Sequence, residues 1–296
     1  MEILRAIEGI RSPFLDTVVG LITQLGEETL GIVILCAIFW CINKKFAYGI
    51  GIAFFFSGLT VQGMKICFRI DRPWVTDPTL NPVPSALEKA TGYSFPSGHT
   101  QSAASLFGSI GVQIKQTPIK VVCFLFVLLV AFSRMYLGVH TLLDVGTSVL
   151  IAFLFILITQ KVLSGDTVNK KREFVISLIM ALYAVTVTII AVVMYNNGTI
   201  AHEYVADCLK AAGAGIGFAV GMFVERVYID YPVKAKSIPW QLLKLVIGLA
   251  GVLILKEGLK LVIGTGLAVD MFRYFLMLTW VTVFYPLIIK RFFGVR

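Results

Sequence analysis

"VVCFLFVLLVAFSRMYLGVHTLLDVGTSVLIAFLFILITQ", residues 121–160, decides the fold. Two apolar runs, each close to the ~20 residues a bilayer-spanning helix needs, flank a polar knot of Ser133, Arg134, His140 and Asp144. Working outward, the same alternation of long apolar runs and short polar breaks continues in both directions. Hydrophobic residues make up 57% of the 296 and charged residues only 15%. The mean hydropathy of +0.86 is far above that of a soluble domain. The chain therefore reads as all-α: a polytopic transmembrane helical bundle.

About nine spans fit: roughly 28–43, 47–67, 97–114, 119–138, 141–160, 174–195, 205–225, 239–256 and 268–289. Ahead of them, Ile3, Leu4, Ile7 and Ile10 recur at helical spacing among Glu2, Arg5, Glu8 and Arg11, which predicts an amphipathic helix at the membrane interface over residues 1–27. That segment lacks the basic start and small-residue cleavage site of a signal peptide. The longest break, 68–96, is rich in Pro and Asp and reads as a loop or short helical hairpin over one membrane face. Three parts follow: the amino-terminal helix (1–27), a core (28–165) and additional transmembrane helices (166–296).

The net charge of +9 reads as topology, and no basic tract is interleaved with aromatics as a nucleic-acid groove requires. Alternating polar breaks place fourteen Lys and Arg on one side (Lys44, Lys45, Lys115, Lys120, Lys161, Lys170, Lys171, Arg172, Arg226, Lys234, Lys236, Lys290, Arg291, Arg296). The other side carries ten (Arg5, Arg11, Lys65, Arg69, Arg72, Lys89, Arg134, Lys256, Lys260, Arg273). The richer side is expected to be cytoplasmic, which puts the loop 68–96 on the extracytoplasmic face of a plasma (inner) membrane. The five cysteines are scattered along apolar segments and read as small buried hydrophobes. Gly213, Gly217 and Gly221 lie four apart, the spacing that lets two membrane helices pack closely. Lys210 and Lys244 fall inside spans, where an ionisable group marks function or snorkels to a helix end. Asn197-Gly198-Thr199 matches a glycosylation sequon, a short pattern frequent by chance.

Three polar segments stand at span ends on one expected face: Lys65 to Pro73 ("KICFRIDRP"), Pro96 to His99 ("PSGH") and Ser133 to Asp144 ("SRMYLGVHTLLD"). Asp144, four residues beyond His140, shares a helix face with it and can accept one ring N–H, leaving the other nitrogen a stronger nucleophile or base. Ser97 and Gly98 at a helix start offer N–H groups to an anion, although an N-cap alone would explain the serine. Lys65, Arg72 and Arg134 are three cations whose burial calls for a di- or trianionic guest, and guanidinium forks match phosphate oxygens in pairs.

Read together as K-x6-RP, PSGH and SR-x5-H-x3-D, these segments resemble the complete tripartite signature of the type 2 phosphatidic acid phosphatase superfamily, which includes lipid phosphate phosphatases, glucose-6-phosphatase and vanadium haloperoxidases. The resemblance covers the second to fifth spans; residues 170–296 add about four helices beyond a phosphatase-type core. It implies that His140 attacks phosphorus to form a phosphohistidine and Asp144 orients its ring. It implies that His99 protonates the leaving alkoxide and later takes a proton from water. Lys65, Arg72, Ser97, Gly98 and Arg134 would hold the phosphate, with no metal ion and no cofactor required.

A site at helix ends near the interface suits a membrane lipid substrate entering sideways from the bilayer: phosphatidic acid, phosphatidylglycerol phosphate, an isoprenyl (di)phosphate or a sphingoid-base phosphate. Trp74, Asp77, Glu88 and Tyr93 are candidates to line its entrance. Rival readings are hydrolysis of a soluble phosphoester such as a sugar phosphate, phosphate transfer to a second lipid, and an anion transporter that uses the cations for binding alone. The paired histidines and Asp144 favour chemistry, because transport needs neither a nucleophile nor an acid.

Overall fold

The computed structural model describes residues 1–87, 90–163 and 168–293, and its elements are all helices. In chain order they are α1 (Glu2–Glu8), α2 (Pro13–Thr23, continued by the tight turn Gln24–Gly26), α3 (Glu28–Ala37), α4 (Lys44–Phe68), α5 (Pro73–Thr76) and α6 (Pro84–Leu87). Then come α7 (98–113, with a wide turn at Ala104–Gly108), α8 (Thr117–Tyr136), α9 (Leu142–Val162), α10 (Lys170–Asn196), α11 (His202–Ile229), α12 (Ile238–Ile263) and α13 (Leu267–Phe293).

Among the described residues seven helices are long and apolar enough to cross a membrane, or eight if the pair α2–α3, bent by 51°, counts as one broken span. Against the expected nine, the difference lies in α7: at 1.5 Å per residue it is about 24 Å long, short of a ~30 Å hydrocarbon core. The expected single amino-terminal helix is two, α1 and α2. Ser12 caps the second, accepting from Leu15 N at 3.3 Å, and Pro13 pre-sets its first turn. The chain is an integral membrane protein, and its bare apolar exterior fits that solvent: Leu150 is 72% and Leu261 87% exposed.

The chain forms two compact units. The first comprises 1–32 and 60–159; the second comprises 33–59 and 160–296, so the early residues 33–59 group with the carboxy-terminal helices rather than with the expected core. In the first unit, α7 packs close to α9, where a Cβ on Gly108 would lie 3.1 Å from Ile156 Cδ1, and close to α8, where one on Gly111 would lie 3.2 Å from Cys123 Cβ.

In the second unit Gly213, Gly217 and Gly221 carry the close packing their spacing predicts. A side chain on any of them would collide with the backbone or Thr282 of α13: the carbonyl of Met271, that of Phe275 at 2.5 Å, and the Thr282 hydroxyl. Lys244, fully buried, sends its Nζ to the Val233 carbonyl at 2.6 Å, and Lys210 pairs with Asp207 at 3.1 Å. The Asn197-Gly198 pair ends α10, with Gly198 at φ +70°, so a helix stop accounts for the sequon locally.

The second unit also holds a buried charge network. Glu225 accepts from Lys44 at 3.0 Å, from the Tyr48 hydroxyl at 2.5 Å and from Tyr231 N at 3.2 Å. Glu173 meets Arg172 at 3.0 Å and Arg226 at 3.1 Å, and Lys44 also pairs with Asp230.

Candidate active site

The site belongs to the first unit and starts where α8 stops. Gly138 turns the chain at φ +77°, where a Cβ would lie 3.1 Å from the Pro82 Cα, so glycine meets both a backbone and a space requirement. The N–H groups of Val139 and His140 both reach the Arg134 carbonyl, at 3.1 and 3.3 Å. That hairpin sets His140 directly after the arginine's own turn.

The i, i+4 pairing of His140 with Asp144 is present but not on a helix face: α9 starts only at Leu142. Thr141 and Asp144 instead form a capping box, Thr141 N donating to Asp144 Oδ2 at 2.7 Å and Asp144 N to Thr141 Oγ1 at 3.3 Å. The cap holds the carboxylate at the helix entry, 3.5 Å from His140 Nδ1. Ser94 supplies a further donor, its hydroxyl 2.7 Å from Asp144 Oδ2 and 3.5 Å from Nδ1.

Across the ring, Arg72 Nη1 sits 2.8 Å from His140 Nε2. A guanidinium only donates, so Nε2 is the lone-pair nitrogen and Nδ1 carries the hydrogen that faces Asp144. Burial, and then Arg72, Arg134, Lys65 and His99 in that order, hold the His140 pKa well below its ordinary 6.5. His140 is thus neutral near pH 7, with its basic nitrogen turned toward the cations.

Those cations are held by uncharged acceptors. Arg72, the residue before Pro73 of α5, donates to the carbonyls of Gly92 (3.0 Å), Thr91 (2.7 Å) and Val139 (3.0 Å), and its guanidinium lies over the Trp74 ring. Lys65, in the last turn of α4, donates to the Tyr93 carbonyl at 2.8 Å. Arg134 is 2% exposed and donates from Nη1 to the Thr23 hydroxyl at 2.9 Å; its Nε has no hydrogen-bond partner among the described residues.

Ser97 caps α7, its hydroxyl accepting from Thr100 N at 3.4 Å and Thr100 Oγ1 at 3.0 Å. Its own N–H is directed to the Asp144 carbonyl at 3.3 Å, which corrects the expectation that it is offered to an anion. Gly98 differs: a Cβ there would meet nothing within 4 Å, so its position is open to a ligand. His99 is half-buried in the first turn of α7.

All eight candidate residues therefore fall in one unit: Arg72 hydrogen-bonds to His140, His140 Nδ1 lies 3.5 Å from Asp144, and the Asp144 carbonyl accepts from the Ser97 N–H. Of the expected entrance residues, Asp77 is committed to an ion pair with Arg5 at 2.7 Å, Tyr93 acts through its carbonyl on Lys65, and Trp74 lies under Arg72. Glu88 lies outside the described residues. Sequence reasoning missed Ser94, Thr141, Thr23 and the amino-terminal strap formed by α1. Arg5 pairs with Asp77 and Glu8 accepts from Asn81, while Arg11 donates to the Tyr136 carbonyl at 2.7 Å. T-x-x-D before an apolar run was a readable capping signal; the other contacts have no local one.

Comparison with known proteins gives matching family assignments at both ends of the chain. A PAP2 superfamily model matches residues 44–167, and a model for the transmembrane extension of PAP2 superfamily phosphatases matches residues 209–295. Among solved structures, Aquifex aeolicus LpxE aligns at 27% identity over 54% of this chain and 93% of its own, with a TM-score of 0.49. A PAP2 type phosphatidylglycerolphosphate phosphatase from Bacillus subtilis aligns at 24% identity over 54% of this chain and 82% of its own, with a TM-score of 0.45. No curated protein matches significantly.

Proposed function

We infer that this chain, which belongs to the PAP2 superfamily and is a membrane phosphatase, hydrolyses a lipid phosphate monoester or an isoprenyl diphosphate through a phosphohistidine on His140. The observation that carries the reading is the hydrogen bond between Arg72 and His140 Nε2. It leaves a neutral imidazole with its lone pair among cations, which is what a nucleophile toward a phosphate dianion requires.

When a phosphate enters, its oxygens take over N–H donors from Lys65, Arg72 and Arg134 and approach the open position at Gly98, beside the Ser97 cap. Nε2 then forms the N–P bond in line as the ester P–O bond breaks, and His99 gives its proton to the departing alkoxide. Asp144, held by Thr141 and Ser94, stabilises the positive ring that results. In the second half, His99 takes a proton from water as the water oxygen bonds to phosphorus and the N–P bond breaks, returning phosphate and neutral His140.

A lipid substrate is supported by exposed apolar residues beside the polar ones: Phe68 (58%) and Val75 (57%) flank Arg72, and Leu142 (54%) and Leu143 (66%) follow His140. Acyl or isoprenyl chains can lie against them while the phosphate turns inward. The extracytoplasmic location is supported by the charge count, since α8 enters between Lys115 and Lys120 and exits at Arg134 and the site.

The test is phosphate release by the detergent-solubilised chain across phosphatidic acid, phosphatidylglycerol phosphate, isoprenyl diphosphates, sphingoid-base phosphates and sugar phosphates, with His140→Ala as the blank. Turnover confined to lipid phosphates is expected. Equal or faster turnover of water-soluble esters would refute the lipid assignment, and uptake of phosphate into proteoliposomes without hydrolysis would refute the enzyme mechanism.

A further inference from the structure

We propose that the amino-terminal segment 12–26, which lies ahead of the residues matched by the family model, completes the phosphate site, with Thr23 as the residue that positions Arg134. The proposal rests on the phosphatase reading above.

Arg134 is long, buried and rich in rotamers, so its place in the site must be imposed. Its hydrogen bond to the Thr23 hydroxyl, 2.9 Å, ties down one end of the guanidinium and leaves Nε without a partner among the described residues. A hydroxyl at that point accepts a hydrogen bond without itself bringing a negative charge.

The same stretch of chain also touches the proposed proton donor. Thr23 ends α2, and the tight turn after it brings Gly26 against α7 so closely that a Cβ would lie 2.7 Å from the His99 carbonyl oxygen and 2.8 Å from Val130 Cγ1. One turn therefore fixes the guanidinium and buttresses the backbone of His99. Its helix is in turn pinned to the end of α8: the Tyr136 hydroxyl donates to Asp16 at 2.9 Å and accepts from Ser12 N at 3.4 Å, and Arg11 grips the Tyr136 carbonyl. These contacts lie beside Arg134 on the same helix, so α2 and the arginine are held in one register.

The experiment compares Thr23→Val, Thr23→Ala, Thr23→Ser and Gly26→Ala in the full chain. It reads kcat and KM on a turned-over phosphate ester, the orthovanadate inhibition constant, and the melting temperature. Thr23→Val keeps the shape of threonine; it is expected to lower kcat/KM about tenfold or more and to weaken vanadate inhibition by a comparable factor, with the melting temperature held. Thr23→Ala is expected to do the same, Thr23→Ser to stay close to wild type, and Gly26→Ala to lower kcat by displacing His99. In an Arg134→Ala background, Thr23→Val should cost nothing further.

Wild-type kcat/KM and vanadate inhibition in both Thr23→Val and Thr23→Ala would overturn the proposal while leaving the phosphatase reading intact. An undiminished Thr23→Val effect without Arg134 would do the same. A wild-type chain inactive on every phosphoester would overturn both.

Discussion

The two units each hold a cluster of charges, and the cations in them donate to different kinds of acceptor. In the second unit the cations Lys44, Arg172 and Arg226 meet the carboxylates of Glu225, Asp230 and Glu173, so positive and negative charge are brought together pair by pair. In the first, Lys65, Arg72 and Arg134 donate to the carbonyls of Tyr93, Gly92, Thr91 and Val139 and to the hydroxyl of Thr23. Those acceptors are neutral groups. Carboxylate acceptors hold cations as structure, whereas neutral acceptors can be exchanged for the oxygens of an anionic guest.

Substitutions in the two clusters should therefore separate activity from stability. Replacing the proposed nucleophile, His140→Ala, is expected to remove turnover, a loss on the order of 10⁴-fold or more, with the melting temperature preserved; phosphate release by the purified variants checks it. In the paired network, Glu225→Ala takes the carboxylate away from the buried Tyr48 hydroxyl and Tyr231 N–H, while Lys44 keeps Asp230. It should cost about 1–3 kcal/mol of stability, seen in thermal unfolding, while the protein that remains folded keeps wild-type kcat. Loss of kcat without loss of stability would break the comparison. Arg72→Ala returns to the first unit, where removing one proposed donor to the reacting phosphate should cost about 10²–10³ in kcat, roughly 3–4 kcal/mol of barrier, and weaken vanadate inhibition.

Two smaller effects sharpen the contrast. Because His140 is held neutral well below the ordinary histidine value, the unfolded chain binds a proton that the folded one refuses as pH drops below about 6.5. Stability should accordingly fall on acidification from pH 6.5 toward that lower value, and His140→Gln should flatten the dependence, as melting curves at successive pH values would show. Smallest is the strap at Arg5–Asp77, exposed on the arginine side. Arg5→Ala should change kcat/KM only slightly, and the change should vanish in high salt because a surface pair is screened.

The helical class and the residues of the candidate site were legible because both are written locally. Apolar runs report spans, and Lys65, Arg72, Ser97, Gly98, His99, Arg134, His140 and Asp144 stand in three short patterns. The geometry was less so. His140 and Asp144 look like helix neighbours, yet the capping box moves the histidine off the helix, and the Ser97 N–H is directed to the Asp144 carbonyl. Thr23 was invisible because it meets Arg134 across more than a hundred residues of chain, and one threonine near a helix end carries no mark of its partner. The length of α7 misled for a related reason: polar residues at its start and a wide turn within it hide where an apolar run stops being long enough to span.

The central claim is the covalent step on His140, and the most direct measurement is an alkaline quench of the enzyme after brief exposure to a 32P-labelled substrate, followed by mapping of the label. Phosphate on His140 in the wild type, none in His140→Ala, and accumulation in a His99→Ala variant given a substrate with a good leaving group are the predicted results. Turnover of the same substrate with no label on any histidine, or label retained in His140→Ala, would contradict the account.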